Sequence, residues 1–294
     1  MKMIKWMAVS TLMVFGFLLN AQAAYLLGMD EASQKFTLTV FDTSSGSVVQ
    51  SYSTRLPSEV ENVVYTDSNL AYGFGPSSRG RSTLYKFILS DDGTVNYDQS
   101  WDYKNIKDVD SIALAGDSLY AVNHNNGKLY SIDLEDKSSK EIKLKTKASN
   151  VQALSYNSQD GLLYGIDADG GDDELFSIDL SASKPTVTTI GSTGVNGIEA
   201  LSFGDDGSLF AVADETLHMI NLGTGSAFTS IDLGGWADDI EGLSYFSSGS
   251  AAVPEPGSAL AWLLIVGGAV YMVRRKRADK VGALAGQTMN AVSG

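Results

Sequence analysis

The chain has 294 residues and no cysteine, with 35 acidic against 21 basic residues and a net charge of −14. Setting aside both ends (Lys2, Lys5 and everything after Val253), the middle keeps about 14 basic and 33 acidic residues, roughly −19. A disulfide framework, a thiolate metal site and a cysteine nucleophile are excluded. Nucleic acid and anionic headgroups would be repelled, leaving cations, basic partners and neutral glycans as ligand classes.

The N-terminal 24 residues, MKMIKWMAVSTLMVFGFLLNAQAA, place Lys2 and Lys5 before an apolar run from Met7 to Leu19. Ala21-Gln22-Ala23 then supplies a small-x-small cleavage site. This order predicts a signal peptide over residues 1–23, with the mature chain starting near Ala24 and the body exported. An uncleaved anchor is the alternative reading.

From residue 24 to 246 one pattern recurs with a period in the mid-forties. A first segment appears as VENVVY from Val60, VDSIAL from Val109, VQALSY from Val151, IEALSF from Ile198 and IEGLSY from Ile240. A second begins at Leu26, Ala71, Leu119, Leu163 and Leu209, and a third at Leu38, Leu84, Leu129, Leu175 and Leu217. A looser fourth follows each third. These short runs are rich in β-branched and aromatic residues and bounded by Gly, Asp, Asn and Ser, which predicts strands joined by tight turns. Four such strands per repeat predict a propeller blade.

The phase of the repeats adds to their number. Second, third and fourth segments open the body, while the fifth first segment, from Ile240, arrives last and alone. Pairing the two ends predicts an all-β, five-bladed propeller whose ring is closed by the C-terminal strand on the N-terminal strands. An open solenoid is the alternative, although capping repeats are missing. The body is loosely similar to bacterial NHL- and quinoprotein-like propellers, which share a shape and little chemistry.

After a linker over residues 247–256, Gly257 to Val273 form an uncharged run of 17 residues. As a helix it would cover about 25 Å, enough for a short membrane span. Arg274, Arg275, Lys276 and Arg277 would hold its end in the cytoplasm as a membrane stop. Pro254, Glu255 and Pro256 precede the run. Triplet, apolar helix and basic cluster, in that order, resemble the PEP-CTERM sorting tail of exopolysaccharide-producing Gram-negative bacteria. The resemblance implies an exosortase, a membrane-embedded cysteine protease, as partner, acting at Pro254, Glu255 and Pro256. It also implies a body delivered to the periplasm, the cell envelope or the exopolysaccharide matrix. Family tails stop soon after the basic cluster, whereas within residues 274–294 this chain continues past the cluster with a small, polar, disordered extension from Ala278 to Gly294.

Five equivalent positions are the sharpest chemical candidates: Glu61, Asp110, Gln152, Glu199 and Glu241, each second in its first segment. On innermost strands they would ring the axis, and the carboxylates of Glu61, Asp110, Glu199 and Glu241 would suit Ca²⁺. Equally, they face water at the strand entrance. DADGGDDE, Asp167 to Glu174, departs from a calcium loop and reads as a solvated hairpin. Trp101 and Trp236 follow fourth segments, placing them in inter-blade connections where they would stack on a sugar or pack between blades. Neither His124 nor His218 belongs to a zinc or triad pattern. The expectation is a non-enzymatic binding or structural module that needs no cofactor. A calcium-dependent hydrolase or lyase is the alternative.

Overall fold

The computed structural model describes residues 25–30, 36–54, 60–66, 69–77, 81–90, 92–146, 148–168, 171–235, 237 and 240–246. The leader, Trp236, the Pro254-Glu255-Pro256 triplet, the span over 257–273 and the basic cluster at 274–277 lie outside the described residues. Among the described residues no helix is long and apolar enough to cross a membrane.

Among the described residues twenty strands follow one another. β1 (Tyr25–Asp30), β2 (Phe36–Asp42) and β3 (Val48–Thr54) come first. β4 (Asn62–Thr66), β5 (Leu70–Ser77), β6 (Arg81–Leu89) and β7 (Val95–Tyr103) form the next group. β8 (Val109–Ala115), β9 (Ser118–Asn123), β10 (Leu129–Asp133) and β11 (Ser139–Ile142) form another. Then come β12 (Val151–Asn157), β13 (Leu162–Asp167), β14 (Glu174–Asp179) and β15 (Val187–Ser192). β16 (Ile198–Phe203), β17 (Leu209–Ala213), β18 (Thr216–Ile220), β19 (Ala227–Asp232) and β20 (Ile240–Phe246) complete the order.

They make five four-stranded antiparallel sheets: β4 to β7, β8 to β11, β12 to β15, β16 to β19, and a fifth ordered β20-β1-β2-β3. This is a five-bladed β-propeller. In the fifth sheet Leu27 lies opposite Ser244 and Gly28 opposite Leu243, so one blade is assembled from both ends of the described chain.

There is no single central core. Alternate side chains of each strand point to opposite sheet faces, and each face packs on the next blade. Leu27 and Met29 face Val63, Tyr65 and Phe87, whereas Leu26 of the same strand lies with Phe210, Leu217 and Leu243. Other apolar clusters fill the remaining junctions: Phe74, Leu84 and Ile112 in one, Leu129, Leu154 and Phe176 in another, Tyr164, Leu201 and Leu209 in a third. Each Leu or Phe buried there contributes about 1.5–3 kcal/mol.

The inner strands β4, β8, β12 and β16 are neighbours in that order, and β20 packs against both β16 and β4. Their axial edges present backbone N–H groups that no fifth strand pairs, and buried donors need partners. Hydroxyls from the preceding blade supply them. The Leu154 N–H donates to Ser111 Oγ at 2.6 Å, the Phe203 N–H to Ser155 Oγ at 3.1 Å and the Tyr65 N–H to Ser244 Oγ at 2.8 Å. At the β4–β8 junction Asn62 Nδ2 donates to the Asp110 carbonyl at 2.8 Å. These bonds join corresponding levels, so the inner strands run parallel and in register around the axis.

Candidate functional site: one mouth of the propeller

Near the start of four of the five inner strands the ladder carries an extra residue. In β8, Val109 lies opposite Asn123 and Ser111 opposite Val122, leaving Asp110 with no counterpart. Gln152 in β12, Glu199 in β16 and Glu241 in β20 are left over in the same way. At the entry to β4, Asn62 lies opposite Phe74, while the Glu61 N–H also donates to the Phe74 carbonyl at 2.8 Å. The four register shifts are β-bulges, which bend the strand and re-aim the extra side chain. Four of the five candidates from the sequence are therefore bulge residues, each second in its inner strand, and Glu61 holds the equivalent place just before β4. Glu199 is exposed; Glu61, Asp110, Gln152 and Glu241 are half-buried.

The bulge also explains the small residues in the second strands. Beside it the inner strand comes so close that a Cβ on Gly73 would lie 2.5 Å from Val60 Cγ1 and 2.7 Å from the Asn62 carbonyl. Gly165 is as tightly placed, with Phe176 Cζ at 2.3 Å and the Ala153 carbonyl at 2.9 Å from the same virtual atom. Glycine at these positions answers to close approach rather than to turning.

Charge at this mouth is negative and unevenly screened. Asp110 Oδ2 sits 2.8 Å from Nδ1 of His124, in the turn after β9. Burial pushes the Asp110 carboxyl above its ordinary range; the adjacent His124 opposes that rise and Asp108 adds to it. Asn62 is 3% exposed. Its Nδ2 holds the carboxamide against the bulge of the next blade, yet its Oδ1, like Oε1 of Gln152, is buried with no hydrogen-bond partner. Among the described residues no group of three or more His, Asp or Glu side chains is close enough to hold a metal ion.

Two expectations need correction. Asp173 is not part of a solvated hairpin: it is 2% exposed, and its Oδ2 accepts the Ile198 N–H at 2.7 Å. Its carbonyl accepts from Thr193 Oγ1 at 2.9 Å. Burial raises its carboxyl, and the N–H groups of Ile198 and Gly197 hold that rise back. A carboxylate so placed anchors the start of β16 just before its bulge. Trp101 lies within β7, opposite Leu84, and not in an inter-blade connection. Lys137 of the next blade places Nζ 4.6 Å above its ring, a cation–π contact that occupies that face.

Reading by residue type missed Asn62, Asp173, the Asp110–His124 contact and the hydroxyl bridges. One signal for the bulge was present. Val151, Ala153 and Leu154 are all apolar, a break in the alternation that a regular strand would keep.

No protein-family model matches the chain, and no curated protein matches it in sequence. Solved structures do resemble it. A chain of a nidogen–laminin complex aligns with a TM-score of 0.54 at 9% identity, covering 76% of this chain and 99% of that one. The major allergen Mala s 1 of Malassezia sympodialis aligns at 0.49 with 12% identity over 70% of this chain and 78% of its own. TolB from Acinetobacter baumannii aligns at 0.45 with 14% identity over 76% and 65%. What the chain shares with the nidogen–laminin chain is the propeller fold. At such identities the shared shape says nothing of a shared ligand.

Proposed function

We propose that this chain is an exported, non-enzymatic binding module, sorted at the cell envelope by its C-terminal segment, whose working surface is the mouth that Glu61 shares with the four bulge residues. One observation carries the binding reading: the same irregularity, repeated in four of the five blades, sets one polar side chain at the same position of each inner strand. A bulge weakens the local ladder, and a purely structural ring has no use for four of them at one level. The pairing of β20 with β1 would close the ring and hold that level rigid.

Export and sorting rest on the ends. Residues 1–23 would be removed on translocation, and Pro254-Glu255-Pro256 with the span and Arg274-Arg275-Lys276-Arg277 would present the body to an exosortase from the outer face of the inner membrane. Exopolysaccharide or other envelope proteins are the partners such an address makes available.

The test is the mass of the protein recovered from an exosortase-bearing host and from the same host lacking the enzyme. A start near Ala24 in both, with an end near Pro254–Pro256 only when the enzyme is present, is the expected result. An unchanged Met1, or the same C-terminus in both hosts, would overturn the sorting reading.

A further inference from the structure

We infer that Tyr72 and Trp101 form a binding site for a quaternary ammonium group, plugged in the resting chain by its own Lys137. The site lies at the junction of the β4–β7 and β8–β11 blades and shares no residue with the mouth, so it goes beyond the reading above. Tyr72 stands on β5 and Trp101 on β7, in the apolar cluster where the two blades meet. Lys137 comes from the other blade, in the turn between β10 and β11. Its Nζ sits 4.6 Å from the Trp101 ring centroid and 5.9 Å from that of Tyr72. Both rings are close enough to attract a cation through their faces.

The turn shows that this lysine is present for its side chain. Among the described residues five turns close with the same bond, from the N–H of the fifth residue to the carbonyl of the first. Gly46 bonds to Asp42, Gly127 to Asn123 and Gly161 to Asn157, each at 2.9 Å, Gly225 to Asn221 at 2.8 Å, and Lys137 to Asp133 at 3.0 Å. The fifth residue has a positive φ in every one, between 59° and 81°. Glycine adopts that conformation freely, whereas a residue with a Cβ is strained there. Four of these turns use glycine. The one that does not sends its side chain across to the two rings of the neighbouring blade.

A lysine is an imperfect occupant of this slot. Lys86, on the same side of the junction as Tyr72, pairs with Asp98 at 2.8 Å, whereas Lys137 enters no ion pair among the described residues. Burial holds the Lys137 amine below its ordinary value and the nearby Lys86 ammonium adds to that fall, with Asp133 and Asp136 opposing. A primary ammonium also carries three N–H donors, and two ring faces offer them no oxygen. A quaternary ammonium has no donor to satisfy and cannot lose its charge, so aromatic faces suit it better. The plug is also displaceable. Lys137 is only half-buried, and the rotamer freedom a lysine recovers on leaving is comparable to the pull of a partly exposed ring. The acidic balance of the body favours the approach of a cation to take its place.

The probe is choline, with its uncharged carbon isostere as control, titrated by calorimetry against the purified full chain in a non-ionic detergent free of choline headgroups. Lys137→Gly gives the turn the residue of its four sister turns and removes the plug. This variant should bind choline at least tenfold more tightly than the unmutated chain and should not bind the isostere. Adding Trp101→Leu should abolish the gain. No choline binding by Lys137→Gly, equal binding of the isostere, or a gain that survives Trp101→Leu would each overturn the site. A second readout needs no variant. Brief acetylation of the unmutated chain, with and without saturating choline, compares Lys137 with the exposed Lys140 by peptide mass spectrometry. Displacing the plug should raise labelling of Lys137 relative to Lys140 at least threefold. An unchanged ratio would make Lys137 a fixed strut and overturn the proposal, whatever the variants do. Failure on either count leaves the mouth and the binding-module reading untouched.

Discussion

Ser111, Ser155 and Ser244 carry more of the molecule than their size suggests. Each accepts a backbone N–H from the inner strand of the next blade, and each is buried. Removing such an acceptor strands a buried donor, which costs about 1–3 kcal/mol, whereas an exposed serine would cost almost nothing. Ser155→Ala should therefore lower the urea midpoint by an amount worth about 1–3 kcal/mol at unchanged m-value. An exposed reference such as Ser158→Ala should stay within about 0.5 kcal/mol. Small residues were expected along the inner strands because the axis is crowded. Their hydroxyl chemistry was not, since a serine facing a donor and a serine filling space read alike in a sequence.

At the scale of strands, bulge and glycine form a pair. The extra residue at Gln152 draws β12 against β13, and Gly165 is the position where that approach leaves no room. Gly165→Ala places a methyl group against Phe176 and the Ala153 carbonyl, and a carbonyl in a ladder cannot step aside. Overpacking of this kind costs about 1–3 kcal/mol or more. The expected result is a clear fall in the thermal midpoint, checked by calorimetry. Ala121 and Ala211, buried in the corresponding stretches of β9 and β17, show that some blades accommodate a methyl group there. Gly165→Ala combined with Phe176→Leu should recover part of the loss, because Phe176 Cζ is the nearest atom to the new methyl. The segments themselves were legible: all four strand types lie where the repeat placed them, with bounds shifted by a few residues. A strand announces itself by local alternation, whereas a bulge depends on what its partner strand does opposite.

Across the whole molecule, the fifth sheet joins residues separated by almost the full described length. β20 supplies both the inner strand beside β1 and the hydroxyl that accepts from Tyr65 in the following blade. Without it β1 would show an open edge, the feature that drives aggregation in β proteins. A chain running from Ala24 to Asp239 should lose cooperative unfolding and enter large aggregates on gel filtration. One running from Ala24 to Phe246 should remain monodisperse with a single transition. Retention of a sharp transition by the shorter chain would show that the ring does not depend on its last strand.

The repeat period, the number of blades and the shared fifth blade were determined by the sequence alone, because each blade is built from local patterns that recur along the chain. The same holds for the acidic balance. Only the tertiary structure decided that Asp110, Gln152, Glu199 and Glu241 are bulge residues, and that Asn62 leans on a neighbouring blade with one oxygen unused. It also drew Asp173 inside and set Lys137 over Trp101. Those facts depend on register and on contacts between blades some forty residues apart, and no local pattern of hydrophobicity encodes which side chain meets which across such a junction.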